Sequence, residues 1–423
     1  MWVGALVLVA GLGAGAARPQ SADARAAAVL GHPQFTRAMA ALDRDHAILV
    51  DEIVGLTQIP APPFREAARA SAYADLLRRY GLEDVEIDAE GNAMGLRRGT
   101  GGGPLIVLAA HLDTVFPEGT DVTVKRDGTR LSAPGIGDDT RALAVLLAMI
   151  RAMDTAGVRT RADILFVGNV GEEGPGDLRG VKYLFTKGRY KDRIKAFISM
   201  DGAGSGKDIT NGALGSYRYR VTFKGPGGHS FGAFGLVNPA FALGRAIDLF
   251  SKQTVPATPK TTFNVGVMGG GTSVNSIPFE SWMEVDMRSE SRAELEKMNE
   301  TFMGLMHRAA AEENKARSTA QGPIVVDLKL IGSRPSGETR PDAEIVQVAA
   351  AVVRAAGLTP ALHISSTDSN VPISLGIPAI TIDSGGDGGR AHALDEWIDV
   401  EKTASLRGIR VALATLLTLA GMH

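Results

Sequence analysis

Residues 104–113 read PLIVLAAHLD, and the fold class can be predicted from this segment and the ones that follow it. Its continuous apolar run, Pro104–Ala110, predicts a strand that is buried on both faces, as the strands of helix-covered parallel sheets are. Two runs of the same kind follow at Ala162–Val170 and Ala196–Met200, and an apolar helix pattern at Arg141–Met153 separates the first run from the second. Strands that alternate with helices in this way predict an α/β fold with a mixed, mainly parallel sheet flanked by helices.

The strand pattern changes after about residue 214. Four segments now alternate polar and apolar residues with a period of two, as half-buried strands do. They are Ser216–Lys224, Thr261–Val267, Ser281–Arg288 and Ile324–Leu330, with helices predicted between them at Pro239–Ser251 and Arg292–Arg317. The α/β pattern then returns, with elements predicted at Ala343–Ala356, Ala379–Asp383 and Lys402–Leu419. We therefore predict a small α+β domain, residues 215–332, inserted between two segments of a main domain, residues 35–214 and 333–423.

Residues 1–20 are predicted to be a signal peptide, because Met1–Ala17 is an apolar run with small residues near its end. The expected location is then periplasmic or secreted, and otherwise cytoplasmic. No Lys or Arg precedes the apolar run, so a misassigned start or a membrane anchor is the alternative, although the run is short for a spanning helix. After it we expect a linker or the approach to the first helix over residues 21–34, one helix over residues 35–57 and a second helix over residues 66–80.

The composition excludes several classes of function. Among 423 residues, 45 Lys and Arg nearly balance 47 Asp and Glu, which leaves no basic field for nucleic acid or for an anionic membrane. There are no cysteines, so a metal would have to be held by His nitrogens and carboxylate oxygens. The glycine runs at 101–103 and 269–271 do not open a helix after a strand, which argues against a dinucleotide site.

Polar residues cluster where the buried strands end. They are His111 and Asp113 after the first strand, Glu172 and Glu173 after the second, Asp201 after the third, and Asp138 and Asp139 before the apolar helix. The carboxyl ends of parallel strands form a ligand crevice, and several like charges in one crevice repel unless cations neutralise them. We therefore predict two divalent ions, zinc by donor type with cobalt or manganese as alternatives. Asp113, two residues after His111 on the same strand face, is expected to hydrogen-bond its imidazole.

Taken in order, these segments resemble the motifs of the M20 family of metallopeptidases. The matching segments are AAHLDTVFP, APGIGDDTRA, GNVGEEGPG, SMDGAG, GPGGHSFG, GGTSVNSIP, VDMR and GGRAHALDEW. The resemblance runs from about residue 50 to the C-terminus and implies a zinc-exopeptidase-like catalytic domain with an inserted lid that forms a homodimer. One departure is that Thr140 and Arg141 stand where the family often has Lys and Gly.

The resemblance also implies roles for the residues of the crevice. The ligands of the two metal ions would be His111, Asp138, Glu173, Asp201 and His392. Asp138 would bridge the ions next to a cis Asp138–Asp139 bond. Glu172 would be the general base, and Asp113 would orient His111. An acidic residue after His392, among Asp395 and Glu396, would support the ligands.

Other residues are implied to contact the substrate. His229 would reach from the lid into the partner subunit's site and stabilise the oxyanion, while Asn275 and Arg288 would contact the substrate from the lid. Gly385 and Gly386 would contact the substrate backbone. The alternatives are a purely structural role for His229, and an internal ion pair of Arg288 with Glu284 or Glu290.

The implied activity is hydrolysis of an amide bond in a small peptide or an N-acyl amino acid. Asp201 favours an aminopeptidase or a di- or tripeptidase, because family carboxypeptidases and deacylases tend to carry Glu at that position. A carboxypeptidase or N-acyl-amino-acid deacylase on the same scaffold is the alternative. A non-catalytic binding protein is a remote one, because such proteins usually lose ligands and none is missing here. We expect no nucleic-acid partner and no stable membrane insertion after processing.

Overall fold

The computed structural model describes residues 20–101 and 103–423 of the chain. The predicted signal peptide therefore lies outside the described residues, apart from Gln20. The α-helices within these ranges are α1 (Ala22–Leu30), α2 (Pro33–Arg44), α3 (His46–Thr57), α4 (Ala67–Arg79), α5 (Arg141–Thr155), α6 (Arg179–Thr186), α7 (Pro239–Ser251), α8 (Arg292–Ala316), α9 (Glu344–Ala355), α10 (Asn370–Ser374) and α11 (Lys402–Ala420).

The strands are short near the N-terminus and longest in the middle of the chain. They are β1 (Glu83–Ile87), β2 (Ala93–Arg97), β3 (Leu105–His111), β4 (Lys125–Asp127), β5 (Arg130–Ser132), β6 (Asp163–Asn169), β7 (Ile194–Met200), β8 (Asp208–Ala213), β9 (Gly215–Lys224), β10 (Gly228–His229), β11 (Thr261–Gly270), β12 (Ser276–Ile277), β13 (Glu280–Ser289), β14 (Val325–Arg334), β15 (Gly337–Glu338), β16 (Ala361–Ser365), β17 (Ala379–Ile382), β18 (Asp387–Gly389) and β19 (Trp397–Asp399).

A nine-stranded sheet forms the centre of the main domain, in the order β1-β2-β6-β3-β7-β17-β8-β15, with β16 also paired to β8. The neighbours β6, β3, β7 and β17 run parallel, whereas β2 joins β6 and β8 joins β17 in antiparallel fashion. Every residue of β3 is buried, because helices cover both faces of the sheet. The predicted α/β class with a mixed, mainly parallel sheet is confirmed.

The inserted lid is a separate four-stranded antiparallel sheet in the order β11-β13-β9-β14. Helices α7 and α8 cover one of its faces and bury a core that includes Phe223, Phe250 and Phe302. The rings of Phe250 and Phe302 pack edge to face, with their centroids 5.0 Å apart. The two central lid strands, β9 and β13, alternate buried and more exposed residues, as a sheet with one covered face requires.

The N-terminal prediction differs from the structure in two respects. The segment expected to be a linker or the approach to a helix forms a helix of its own, α1. The side chain of Ser21 caps the main-chain N–H of Ala24, and the side chains of Ala26 and Val29 pack into the core. The single helix expected over residues 35–57 is two helices, α2 and α3, separated at Asp45, which leaves the helical conformation.

Helix α11 is the one helix in residues 20–101 and 103–423 that is long and apolar enough to cross a membrane. Its mean hydropathy is 1.3, and 67% of the apolar window is buried inside the molecule. Leu413, Leu416 and Leu417 are fully buried in the hydrophobic core of the main domain. The helix therefore has the burial expected of a core helix.

Candidate active site

The parallel strands deliver the predicted ligands to one edge of the sheet. His111 is the last residue of β3, Glu172 and Glu173 lie in the turn that follows β6, and Asp201 comes directly after β7. The strands β6, β3 and β7 are hydrogen-bonded neighbours, so their carboxyl ends adjoin. Asp138 comes from the short turn 136–140 that precedes α5.

In the part of the chain that the structure describes, three groups of His, Asp and Glu side chains have ligand atoms within 4.8 Å of one another. The groups are His111 with Glu172 and Glu173, His111 with Asp138 and Asp201, and Asp138 with Glu173 and His392. Asp138 belongs to the second and the third group, which is the position required of a carboxylate that bridges two ions. All five predicted metal ligands therefore lie in one connected cluster.

The imidazoles make direct contacts with the carboxylates of this cluster. His111 Nε2 lies 2.9 Å from Asp138 Oδ1, and His392 Nε2 lies 3.1 Å from Asp138 Oδ2 and 3.1 Å from Glu173 Oε1. The two histidines differ in exposure, because the side chain of His111 is 2% exposed and that of His392 is 56% exposed. The cluster is thus closed on the sheet side and open at the loop that carries His392.

The electrostatics of the cluster favour bound cations. Burial, together with the neighbouring charge of Asp138, raises the pKa of Asp201 to about 7. Burial also raises the pKa values of Asp139 and Glu172 well above their ordinary range. Each raised pKa means that a negative charge is unfavourable in this crevice. Bound divalent cations would offset this unfavourable free energy. Imidazole and carboxylate donors without thiolates suit zinc and related divalent metals, so the residues present fit such ions.

Asp113 contacts the cluster through an arrangement that differs from the expected one. Its carboxylate oxygens accept the main-chain N–H groups of Glu172 and Glu173, at 3.0 and 2.8 Å. His111 Nδ1 lies 3.0 Å from the main-chain oxygen of Asp113 but 3.7 Å from its Oδ1. The carboxylate of Asp113 therefore fixes the turn that carries two acidic residues, and its carbonyl rather than its carboxylate orients the ring.

Glu396 holds the loop of the central ligand Asp138. Its carboxylate is 1% exposed and accepts the main-chain N–H groups of Gly135, Gly137 and Asp138, at 3.0, 2.7 and 2.8 Å. The neighbouring Asp395 instead forms an exposed ion pair with Arg390. The Asp138–Asp139 peptide bond is cis, as the resemblance implies. The supporting acidic residue after His392 is therefore Glu396.

Two residues of the site were not predicted from the sequence. Arg334, at the end of β14, pairs with Glu172 through Nη1 and Oε1 at 2.9 Å. Asp368 is 1% exposed and accepts a hydrogen bond from Asn169 at 2.8 Å. Burial raises the pKa of Asp368 to about 6. Neither residue stands in a spacing that marks a ligand or a base, and both are distant in sequence from the residues they contact.

The lid residues lie in a different environment from the cluster. His229 is exposed, and its Nδ1 accepts the main-chain N–H groups of Phe231 and Gly232 in its own loop, both at 3.2 Å. Asn275 is also exposed and accepts a hydrogen bond from Ser273. Arg288 donates to Asp286 at 2.7 Å, so its internal partner is neither Glu284 nor Glu290. These residues contact no member of the metal-ligand cluster through a hydrogen bond among the described residues.

Gly385 and Gly386 face the core of the domain. A Cβ on Gly385 would lie 2.7 Å from the main-chain oxygen of Ser405, and one on Gly386 would lie 2.6 Å from Nη2 of Arg141. Both have positive φ, at 83° and 77°. The requirement for glycine at these positions therefore comes from close packing against α11 and Arg141, while their predicted contact with substrate stays a prediction.

Comparison with known proteins identifies relatives over most of the chain. The model of peptidase family M20/M25/M40 matches residues 107–418. A succinyl-diaminopimelate desuccinylase from Leptothrix cholodnii is 25% identical over 346 residues, which cover 78% of this chain and 86% of the relative.

Solved structures share the same fold. The aminopeptidase PepT from Bacillus cereus matches with a TM-score of 0.70 at 23% identity, covering 89% of this chain and 99% of that chain. The Bacillus subtilis YXEP protein, described as a dinuclear metal binding peptidase from the M20 family, matches with a TM-score of 0.63 at 17% identity. That match covers 89% of this chain and 99% of the other.

Proposed function

The chain belongs to peptidase family M20/M25/M40 and is a metal-dependent hydrolase of peptide or amide bonds, and from that premise we propose that it is a two-zinc aminopeptidase or di- or tripeptidase. The observation that carries the two-metal proposal is the position of Asp138, whose oxygens lie close to His111 on one side and to His392 on the other. His111 and Asp201 would complete one binding position, and Glu173 and His392 the other. Cobalt or manganese would be accepted by the same donors.

The chemistry divides between the metals and the side chains of the protein. When bound, two divalent ions supply Lewis acidity to the scissile carbonyl and acidify the attacking water. Glu172 takes the proton from that water and delivers it to the leaving amine, a role for which its carboxylate lies next to His111 and Glu173. Burial raises the pKa of Glu172 well above its ordinary value.

We propose that the substrate carries a free amine, because the resemblance associates Asp rather than Glu at position 201 with aminopeptidases and dipeptidases. Arg288 would bind a substrate carboxylate, since a guanidinium suits such a group. A second candidate is an N-acyl-amino-acid deacylase, and the 25% identity to a succinyl-diaminopimelate desuccinylase over 78% of the chain favours it. A carboxypeptidase on the same scaffold is the other alternative to an aminopeptidase or di- or tripeptidase.

We also propose that the lid forms a homodimer and brings His229 to the partner's cluster. Phe231, Phe234 and Val274 are 88%, 90% and 101% exposed, and they lie within a few residues of His229 or of its strand partner Ser276 in the sequence. An exposed apolar group of this kind is typical of a surface that binds another protein. In a two-fold dimer each lid tip could then supply a hydrogen-bond donor to the oxyanion in the other subunit.

Export to the periplasm or the medium is proposed from the N-terminal sequence alone. Residues 1–20 have the apolar core and small-residue end of a signal peptide. Expression of the full chain in a bacterial host, followed by fractionation and N-terminal sequencing, tests this. A periplasmic or secreted protein that begins after residue 14 supports export, and a full-length cytoplasmic protein contradicts it.

A substrate-class assay tests the proposed function. The purified protein is stripped with a chelator, reconstituted with zinc, cobalt or manganese, and incubated with free di- and tripeptides, N-blocked dipeptides, and N-succinyl and N-acetyl amino acids. We expect two ions per chain by metal analysis and chelator-sensitive release of the N-terminal residue from free peptides. Hydrolysis of the N-acyl amino acids alone would favour the deacylase. Metal binding without turnover of any of these substrates would favour a non-catalytic binding protein.

A further inference from the structure

The proposed base is held by an arginine that comes from the lid. Arg334 Nη1 donates to Glu172 Oε1 at 2.9 Å and to Ser366 Oγ at 3.0 Å, and its Nη2 donates to the main-chain oxygen of Glu172. The side chains of Arg334 and Glu172 are 6% and 7% exposed. Charge-assisted hydrogen bonds in such a buried place fix both position and orientation more strongly than a surface ion pair does.

Arg334 belongs to the lid sheet, because β14 runs two residues past residue 332, the predicted end of the inserted domain. It is the last residue of β14, and it pairs with Ser216 at the start of β9. The chain passes from the lid back to the main domain directly after it. The partner of Glu172 therefore comes from the junction of the two domains.

Other contacts attach the same acidic turn to the lid. Arg218 of β9 donates from Nη1 to the main-chain oxygen of Gly174 at 3.1 Å. Asp177 accepts the main-chain N–H of Ser333 at 2.8 Å, and Lys182 donates to the main-chain oxygen of Ser333 at 2.8 Å. The turn that carries Glu172 and Glu173 is therefore held from two sides, by Asp113 on the sheet and by the ends of β9 and β14 on the lid.

The two oxygens of Glu172 have different surroundings. Oε1 accepts from Arg334, whereas no side chain or main-chain N–H of the described residues donates a hydrogen bond to Oε2. A carboxylate oxygen of Glu172 lies within 4.8 Å of ligand atoms of His111 and Glu173. Fixing one oxygen restricts rotation of the carboxylate and leaves the other free to accept a proton from water. A positioning contact of this kind raises turnover without adding a contact to the substrate.

We propose that Arg334 is a positioning residue for Glu172, so that the junction of the lid with the main domain, and not the main domain alone, orients the base. The inference rests on the proposed role of Glu172. It differs from two simpler roles of Arg334, which are binding a substrate carboxylate and contributing a structural ion pair. Substrate binding by Arg334 would require its buried pair with Glu172 to break.

A double-mutant cycle tests the proposal. The reconstituted enzyme is compared with Arg334→Met, Arg334→Lys, Glu172→Gln and the double variant Glu172→Gln/Arg334→Met, with kcat, KM, metal content and Tm measured for each. We expect Arg334→Met to lower kcat on the order of 10- to 100-fold, as loss of a supporting contact commonly does, while KM and metal content stay unchanged. In the Glu172→Gln background the same change should lower kcat no further. Arg334→Lys, which keeps one charged donor, should fall between the wild type and Arg334→Met.

Arg151→Met is the matched control for stability. Arg151 forms an ion pair with Glu52 at 2.6 Å, and their side chains are 11% and 8% exposed, close to the values for Arg334 and Glu172. We expect this control to lower Tm while kcat stays at the wild-type value. If Arg334→Met does not fold, Arg334→Lys is compared with the wild type, and the double variant, which removes both charges, is compared with Glu172→Gln.

The outcomes separate the inference from the proposed function. An inactive Glu172→Gln beside an Arg334→Met variant with wild-type kcat overturns the inference and leaves the base in place. A rise in KM with unchanged kcat in Arg334→Met, or equal losses in both backgrounds of the cycle, also overturns it. A Glu172→Gln variant with near wild-type kcat removes the base itself and the inference with it.

Discussion

His111 and His229 are assigned by the resemblance to one reaction, yet their surroundings have little in common. His111 is 2% exposed at the end of a fully buried strand, and its two ring nitrogens contact Asp138 and the carbonyl of Asp113. His229 is exposed on the two-residue strand β10, and among the described residues its ring forms hydrogen bonds only with its own loop. The first residue is fixed by the fold of one chain, and the second is free to meet another molecule.

This difference extends to the whole of each region. The cluster at the sheet edge brings together every predicted metal ligand and the proposed base, so a single chain contains the metal-binding part of the site. The lid tip carries exposed apolar side chains beside His229 and makes no hydrogen bond to the cluster among the described residues. All five predicted metal ligands come from the main domain, whereas the proposed role of His229 in stabilising the oxyanion requires a dimer.

Asp138→Ala should have the largest effect, because Asp138 lies between the two groups of ligands. We expect loss of both ions and a fall in kcat of at least ~10⁴-fold, since the contributions of the metals and of the base then disappear together. Metal analysis by mass spectrometry and a peptidase assay measure the two effects. A variant that keeps two ions at wild-type affinity would contradict the bridging position of Asp138.

Glu172→Gln should separate the base from the ligands. The side chain keeps its size, and the five predicted ligands are untouched, so metal content should stay at the wild-type value. We expect kcat to fall by about 10²–10⁴-fold, the usual contribution of a positioned general base. Retention of more than a tenth of wild-type turnover, with the metals in place, would show that another group removes the proton.

His229→Ala should lower kcat by about 10²–10³-fold, as removal of an oxyanion donor does, without loss of metal. Mixing and reassociating it with Glu172→Gln tests whether the lid acts in the partner subunit. In a mixed two-fold dimer, one site would combine an intact Glu172 with an intact His229, so activity should return to about a quarter of the wild type. Each variant alone stays inactive and serves as the control. Recovery would be absent if His229 acted within its own chain or only held its loop.

The sequence identified the cluster because its residues stand at recognisable places in the chain. His111, Glu172, Glu173 and Asp201 follow apolar runs long enough to be read as buried strands, and parallel strands bring their ends together. Contacts that depend on the packing of distant elements carry no such signal. Arg334 is 162 residues from Glu172, and nothing in the segment GSRPSG indicates an ion pair with a base.

Local capping and small shifts in direction explain the other differences. The apolar periodicity of residues 21–34 is too weak to distinguish a short helix from a linker. The hydrogen bond from the main-chain N–H of Ala24 to the side chain of Ser21 favours the helix α1. Because residues i and i+2 of a strand lie on one face, the sequence correctly places Asp113 near His111. It does not indicate whether the carboxylate or the main-chain carbonyl of Asp113 contacts the imidazole. The chain has left β3 at Asp113, so the carboxylate turns to the N–H groups of Glu172 and Glu173.

Glu396→Gln should have the smallest effect of these four substitutions. It tests whether buried residues behind the predicted metal ligands contribute to metal binding. The carboxylate accepts three main-chain N–H groups around Asp138, and an amide oxygen can replace only part of this set, because the amide nitrogen is a donor. We expect metal affinity or kcat to fall by about 10- to 100-fold, as for other groups that support a metal ligand. Titration of the stripped protein with zinc measures the affinity. Asp395→Asn is the matched control, because the adjacent carboxylate pairs only with exposed Arg390 and should leave zinc affinity unchanged. Equal effects of the two changes would mean that the loop of His392, rather than the N–H groups held by Glu396, determines metal affinity.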